Sequence, residues 1–80
     1  MKVVFYGRLA DVIGRQLDVT LPPGCSVSQL RDRLAAEHPA AEQVLRSQRA
    51  RTCIGDTLVH DDHVLEGAET VEFLPPVSGG

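Results

Sequence analysis

One strongly marked amphipathic helix, with no second helix long enough to cover it, constrains this chain more than any other feature. Ser26-Val27-Ser28-Gln29 has the form of a capping box, with Ser26 as N-cap and Gln29 three residues on. Val27, Leu30, Leu34 and Ala35 follow at i, i+3, i+7 and i+8, which is one buried stripe. Arg31, Asp32, Arg33 and Glu37 fall to the remaining faces, and Pro39 ends the helix near His38. Ala40 to Arg46 is long enough only for a short second helix. The stripe therefore needs a facing layer of another kind, and a sheet is the layer available.

The strands are legible in turn. Lys2 to Gly7 is apolar at both parities (Val3 and Phe5, Val4 and Tyr6), which predicts a strand covered on both faces and central in its sheet. Gly7 ends it, and Leu9 to Ile13 reads as a helical turn closed by Gly14. Gln16 to Leu21 alternates, with Leu17, Val19 and Leu21 on one face, until Pro22-Pro23-Gly24 stops it. Thr52 to Ile54 and Thr57 to His60 read as two short strands around a Gly55-Asp56 turn. Leu65, Gly67 and Ala68 form a loop, and Thr70 to Leu74 is the last strand. The predicted fold class is α+β: a mixed sheet of four to five strands packed on one main helix. With the first and last strands paired in the centre, that is a ubiquitin-like β-grasp. The expected core includes Leu17, Val19, Leu30, Leu34, Val71 and Phe73. Eighty residues allow one domain, here 1–74, followed by an extended tail, 75–80.

Charge is divided along the chain. Residues 1–51 carry all eight Lys and Arg for a net +3, whereas residues 52–80 carry six acids and neither Lys nor Arg. The total of −3 disfavours nucleic acid as a partner. Arg46, Arg49 and Arg51 read as a solvated loop or helix end. No apolar run approaches the roughly 18 residues of a membrane span, and Met1-Lys2 leads directly into a strand. A cytoplasmic protein with no membrane partner is expected. Cys25 and Cys53, without a CxxC, read as buried thiols rather than a disulfide. Cys25 precedes a helix N-terminus, where a thiolate is favoured, but an incidental cysteine is the plainer reading. His60-Asp61-Asp62-His63 reads as a solvated turn, so no metal and no bound cofactor are expected. No catalytic constellation follows from the spacing.

The tail is the chemically specific part. After Leu74 come Pro75-Pro76-Val77-Ser78-Gly79-Gly80. The prolines end the sheet and favour extended geometry, and six residues reach about 20 Å. Gly79 and Gly80 have no side chains, so such an end threads a narrow channel carboxylate first. A carboxylate is inert to nucleophiles until it is activated. Adenylation by an ATP-dependent partner, then displacement of AMP by a sulfur nucleophile, would leave a thiocarboxylate on Gly80.

Phe73-Leu74-Pro75-Pro76-Val77-Ser78-Gly79-Gly80 resembles the terminal signature of the MoaD family, the small subunits of molybdopterin synthase, within the ThiS/MoaD ubiquitin-like sulfur carriers. The resemblance extends to the opening Val3-Val4-Phe5-Tyr6 strand, the helix after a Pro-Gly turn, and Leu65-Glu66-Gly67-Ala68-Glu69-Thr70-Val71 before the last strand. Glu66 and Ala68 depart mildly from the family pattern. The resemblance implies a sulfur carrier for molybdenum cofactor biosynthesis that is no enzyme by itself. Gly80 would be adenylated by a MoeB-like enzyme using ATP, loaded through a sulfurtransferase, and inserted into a MoaE-like large subunit holding the active site. Sulfur would pass to cyclic pyranopterin monophosphate within a heterotetramer. Gly79 and Ser78 would line the threaded end, with Val77, Pro76, Pro75, Leu74 and Phe73 at the tail and its base contacting partners. The alternatives are a ThiS-like thiazole donor, a tRNA-thiolation carrier, a protein modifier joined through Gly80, or a plain binding module. The uncovered sheet face, with apolar residues of the first strand, is the expected docking surface.

Overall fold

The structure, a computed structural model, describes residues 1–47 and 50–75. Five strands, β1 (Lys2–Phe5), β2 (Gln16–Asp18), β3 (Arg51–Ile54), β4 (Thr57–Val59) and β5 (Thr70–Leu74), form one sheet in the order β2-β1-β5-β3-β4. The β1–β5 pair is parallel and sets Val3 beside Val71 and Phe5 beside Phe73. The other pairings are antiparallel, so the sheet is mixed, as expected for a β-grasp. Helix α1 (Arg8–Ile13) connects β1 and β2, and α2 (Val27–Glu37) covers the sheet. A 3-10 turn, Pro39–Ala41, leads into α3 (Glu42–Arg46), in place of one helix over Ala40 to Arg46.

Helix α2 begins as its sequence dictates. Ser26 accepts from the Gln29 amide at 3.2 Å, and the Gln29 side chain accepts from the Ser26 amide at 2.8 Å. Its stripe, Val27, Leu30, Leu34 and Ala35, is buried against Val3, Phe5, Val71 and Phe73. Phe5 and Phe73 stack with ring centroids 5.8 Å apart. Val19 is in the core as expected, and Leu17 packs against it half-buried.

Several local expectations need correction. β1 lies inside the sheet, but only one of its faces is covered: Val3 and Phe5 are buried, whereas Val4 is half-buried and Tyr6 is 42% exposed. The second strand ends at Asp18 rather than Leu21: β2 is an edge strand whose register with β1 runs from Val4–Gln16 to Lys2–Asp18, and only Val19, exchanging two hydrogen bonds with Met1, extends it. Cys25 and Cys53 are half-buried free thiols, not fully buried ones.

Arg31 is the largest departure. Expected on an outer face, it is 6% exposed. Its guanidinium donates to the carbonyls of Leu45 (2.7 Å), Ser47 (3.1 Å) and Ala50, and to Thr52 Oγ1 (3.1 Å). Its Nε lies 3.0 Å from Asp61 Oδ1, and its Cζ sits 5.3 Å from the Phe73 ring centroid. Arg31 thus ties α2 to the α3–β3 connection, to β5 and to the turn after β4. That turn is correspondingly more than solvated chain. The carbonyls of Asp61 and His63 accept from the Ser28 and Val27 amides at 2.9 Å each, satisfying donors at the start of α2.

Candidate functional site

Strand β5 runs through the middle of the sheet and delivers the chain to Pro75 at its end. Two contacts hold this point. Phe73 is locked in the core between Phe5 and Arg31. Pro75 packs against Gly7: a Cβ built on Gly7 would lie 2.9 Å from Pro75 Cβ. Gly7 has φ +62, turns β1 into α1, and accepts from the Ala10 amide at 3.1 Å. Glycine meets both demands there, a left-handed φ and the close approach of a proline ring. The first residue of the tail thus rests against its own domain.

The predicted site residues separate at this base. Phe73 is 0% exposed, so its ring is committed to the core and cannot also contact a partner. Leu74, the next residue, points to the opposite face and is half-buried, and Pro75 is exposed. Pro76, Val77, Ser78, Gly79 and Gly80 lie outside the described residues.

The sheet face away from α2 is uncovered. The registers of β1, β2, β3, β4 and β5 place Gln16, Val4, Glu72, Cys53 and Leu58 in one row across it. Leu74 pairs with Arg51 in the next row towards the tail, the row that Tyr6 enters if the β1–β5 register is continued by one residue. Leu58 is 52% exposed. The Tyr6 hydroxyl donates to Glu72 Oε2 at 2.5 Å. That hydrogen bond holds the phenol above its ordinary pKa, so Tyr6 stays a neutral donor. Sequence reading expected an uncovered face carrying apolar residues of the first strand but not the pairing with Glu72, because the β1–β5 register is not local in the chain.

Beside the tail base, a cleft of about 610 Å³ opens between β1 and α1, lined among others by Tyr6, Gly7, Ala10 and Arg15. The remaining motifs are structural. Arg46 pairs with Asp32 (2.5 Å) and Glu42 (3.1 Å) on the exposed helix surface; Arg49 lies outside the described residues. Glu69 accepts from the amides of Glu66 (2.7 Å) and Gly67 (2.8 Å), fixing the loop before β5. The Glu66 amide is the main reason its carboxyl sits below the usual range. Among the described residues no group of three or more His, Cys, Asp or Glu is placed to hold a metal ion. None of their helices is long and apolar enough to cross a membrane.

The ThiS family model matches residues 3–80. The chain belongs to the ThiS family. Over 80 residues it is 29% identical to the molybdopterin synthase sulfur carrier subunit of Escherichia coli (strain K12), covering 100% of this chain and 99% of that one. Among solved structures, H. volcanii small archaeal modifier protein 1 matches with a TM-score of 0.84 at 19% identity, over 95% of each chain. A putative molybdopterin converting factor, subunit 1, from Pyrococcus furiosus matches with a TM-score of 0.79 at 20% identity, also over 95% of each. At those identities the structures speak for the fold alone, and they support the β-grasp. The ThiS family match and the carrier subunit together bear out the resemblance read from the tail.

Proposed function

We propose that this chain is the sulfur-carrying small subunit of a molybdopterin synthase. The observation that carries the reading is the end-to-end likeness to the Escherichia coli sulfur carrier subunit. The domain supplies recognition and a fixed base for the tail, while Gly80 supplies the reacting carboxylate. An adenylating enzyme joins that carboxylate to the α-phosphate of ATP and releases pyrophosphate. Sulfur delivered by a sulfurtransferase displaces AMP, leaving the thiocarboxylate. The tail then enters a large subunit, where the sulfur passes to cyclic pyranopterin monophosphate. Ser78 and Gly79 offer little bulk to a narrow channel, and Pro75-Pro76 keep the approach extended.

The uncovered sheet face is the docking surface in this reading, with Leu74 and Pro75 at its tail edge and Leu58 at the other. Glu72 and the acids between Asp56 and Glu69 favour basic surfaces on the partners. The chain has no active site of its own in this scheme and acts in the cytoplasm.

Reconstitution tests the proposal. The chain is incubated with ATP, activating enzyme and sulfur donor, then with the pterin precursor and large subunit. Formation of molybdopterin with loss of sulfur from Gly80 is expected. Loading without transfer to the pterin, but with transfer to a thiazole precursor or to tRNA, would reassign the acceptor. Amide linkage of Gly80 to protein lysines would make the chain a modifier.

A further inference from the structure

Glu72 is out of place on an apolar docking face. It lies on the central strand, half-buried, with Val4 on one side in its row and Cys53 on the other. A partner covering Val4, Leu58 and Leu74 covers Glu72 as well. Enclosing a lone carboxylate is strongly unfavourable unless a cation meets it. The described residues place none against it. Among the described residues Glu72 makes no ion pair: Lys2 and Arg51 share its face, each two residues along a neighbouring strand, and neither lies within ion-pair distance of it. What the domain does supply is orientation. Tyr6 donates to Oε2 at 2.5 Å, which fixes the carboxylate on the side towards the tail, while Oε1 accepts no hydrogen bond from the described residues. Two acceptors then stand side by side: Oε1 of Glu72 and the lone pairs of the Tyr6 hydroxyl.

We infer that the enzyme activating the tail presents an arginine to the Glu72–Tyr6 pair, and that this contact selects the partner. A guanidinium fork has the planar, two-donor geometry for adjacent acceptors, whereas a lysine ammonium makes a point contact. The pair adjoins Leu74, so the contact registers the docked face at the point where the tail departs. The inference rests on the docking role given to this face above. It concerns the activating enzyme because activation of Gly80 precedes every acceptor considered, so the test is independent of which acceptor is right.

The test uses the full-length chain and its cognate adenylating enzyme, with affinity measured for the parent, Glu72→Gln and Glu72→Leu. Unchanged denaturant midpoints show that both variants fold. Removing one member of an enclosed charge pair should weaken binding about tenfold or more in both variants. Leucine decides the matter: an all-apolar contact would tighten with it, whereas an arginine left unpaired loses affinity. Weakening by less than tenfold in either variant, or tighter binding by Glu72→Leu, overturns the inference. If the Glu72 variants bind like the parent while Leu58→Ala weakens binding, the docking reading stands and the arginine falls; if Leu58→Ala also binds like the parent, both fall. If the parent itself does not bind, both fall.

Discussion

The two faces of the sheet are built from alternate residues of the same strands, yet they do different work. On β1 and β5, Val3, Phe5, Val71 and Phe73 turn towards α2 and are 0–2% exposed. Their immediate neighbours, Val4, Tyr6, Glu72 and Leu74, turn the other way and stay partly open to solvent. A period of two lets one strand carry stability on one side and recognition on the other. The inner side is closed even to its polar groups: Thr52 of β3 is buried, and Arg31, reaching in from α2, is enclosed by carbonyls, Asp61 and the Phe73 ring. The outer face keeps Glu72 half-open, paired among the described residues with Tyr6. The tail base joins the two, since Phe73 faces in, Leu74 faces out, and Pro75 rests on Gly7.

The contrast breaks first at Arg31. Arg31→Met should destabilise the fold by about 3–5 kcal/mol, because Asp61 and the loop carbonyls lose their shared partner. Chemical denaturation measures it, and a loss below about 1 kcal/mol would mean the guanidinium network contributes little. Next comes a matched pair of leucines. Leu34→Ala, on the covering helix, should lose about 2–5 kcal/mol. Leu58→Ala, on the open face, should stay within about 0.5 kcal/mol and instead weaken binding to the activating enzyme. Equal stability losses would erase the distinction between the faces.

Much of the inner face was legible in sequence because it depends on local periodicity. The capping box, the α2 stripe and the apolar first and last strands follow from spacing alone. Arg31 was missed although its position fits: it is i+4 from Val27 and i−4 from Ala35, within the stripe. Residue type suggested solvent where spacing indicated burial. The carbonyls that satisfy it come from 14 to 19 residues further on, beyond any local pattern. The Glu72–Tyr6 pair spans 66 residues and depends on the parallel β1–β5 register. The same register brings Pro75 to Gly7. The tail chemistry was legible because it lies in residue identity, Gly79-Gly80 after two prolines, and not in folded contacts.

Smaller effects sharpen the account of what supports the inner face. Ser26→Ala removes the acceptor for the Gln29 amide and should lower stability by about 0.5–2 kcal/mol. The pH dependence of Glu69 is subtler. Its folded pKa is lowered, chiefly by the Glu66 amide, so its stabilisation is present above the ordinary carboxylate range. It is lost as pH falls through the folded value. The stability difference between the parent and Glu69→Gln should therefore be largest near neutral pH and shrink on acidification. A difference that grows towards acid would reverse the sign.

Intact-protein mass spectrometry after incubation with ATP, the cognate activating enzyme and a sulfur donor addresses Gly80 most directly. The full-length chain should gain the mass of one sulfur-for-oxygen exchange, localised by fragmentation to Gly80, while a chain lacking Gly80 folds with an unchanged denaturant midpoint and gains nothing. An unmodified Gly80 under conditions that load a known carrier, or equal loading of the chain that lacks it, would contradict its role as the sulfur-bearing residue.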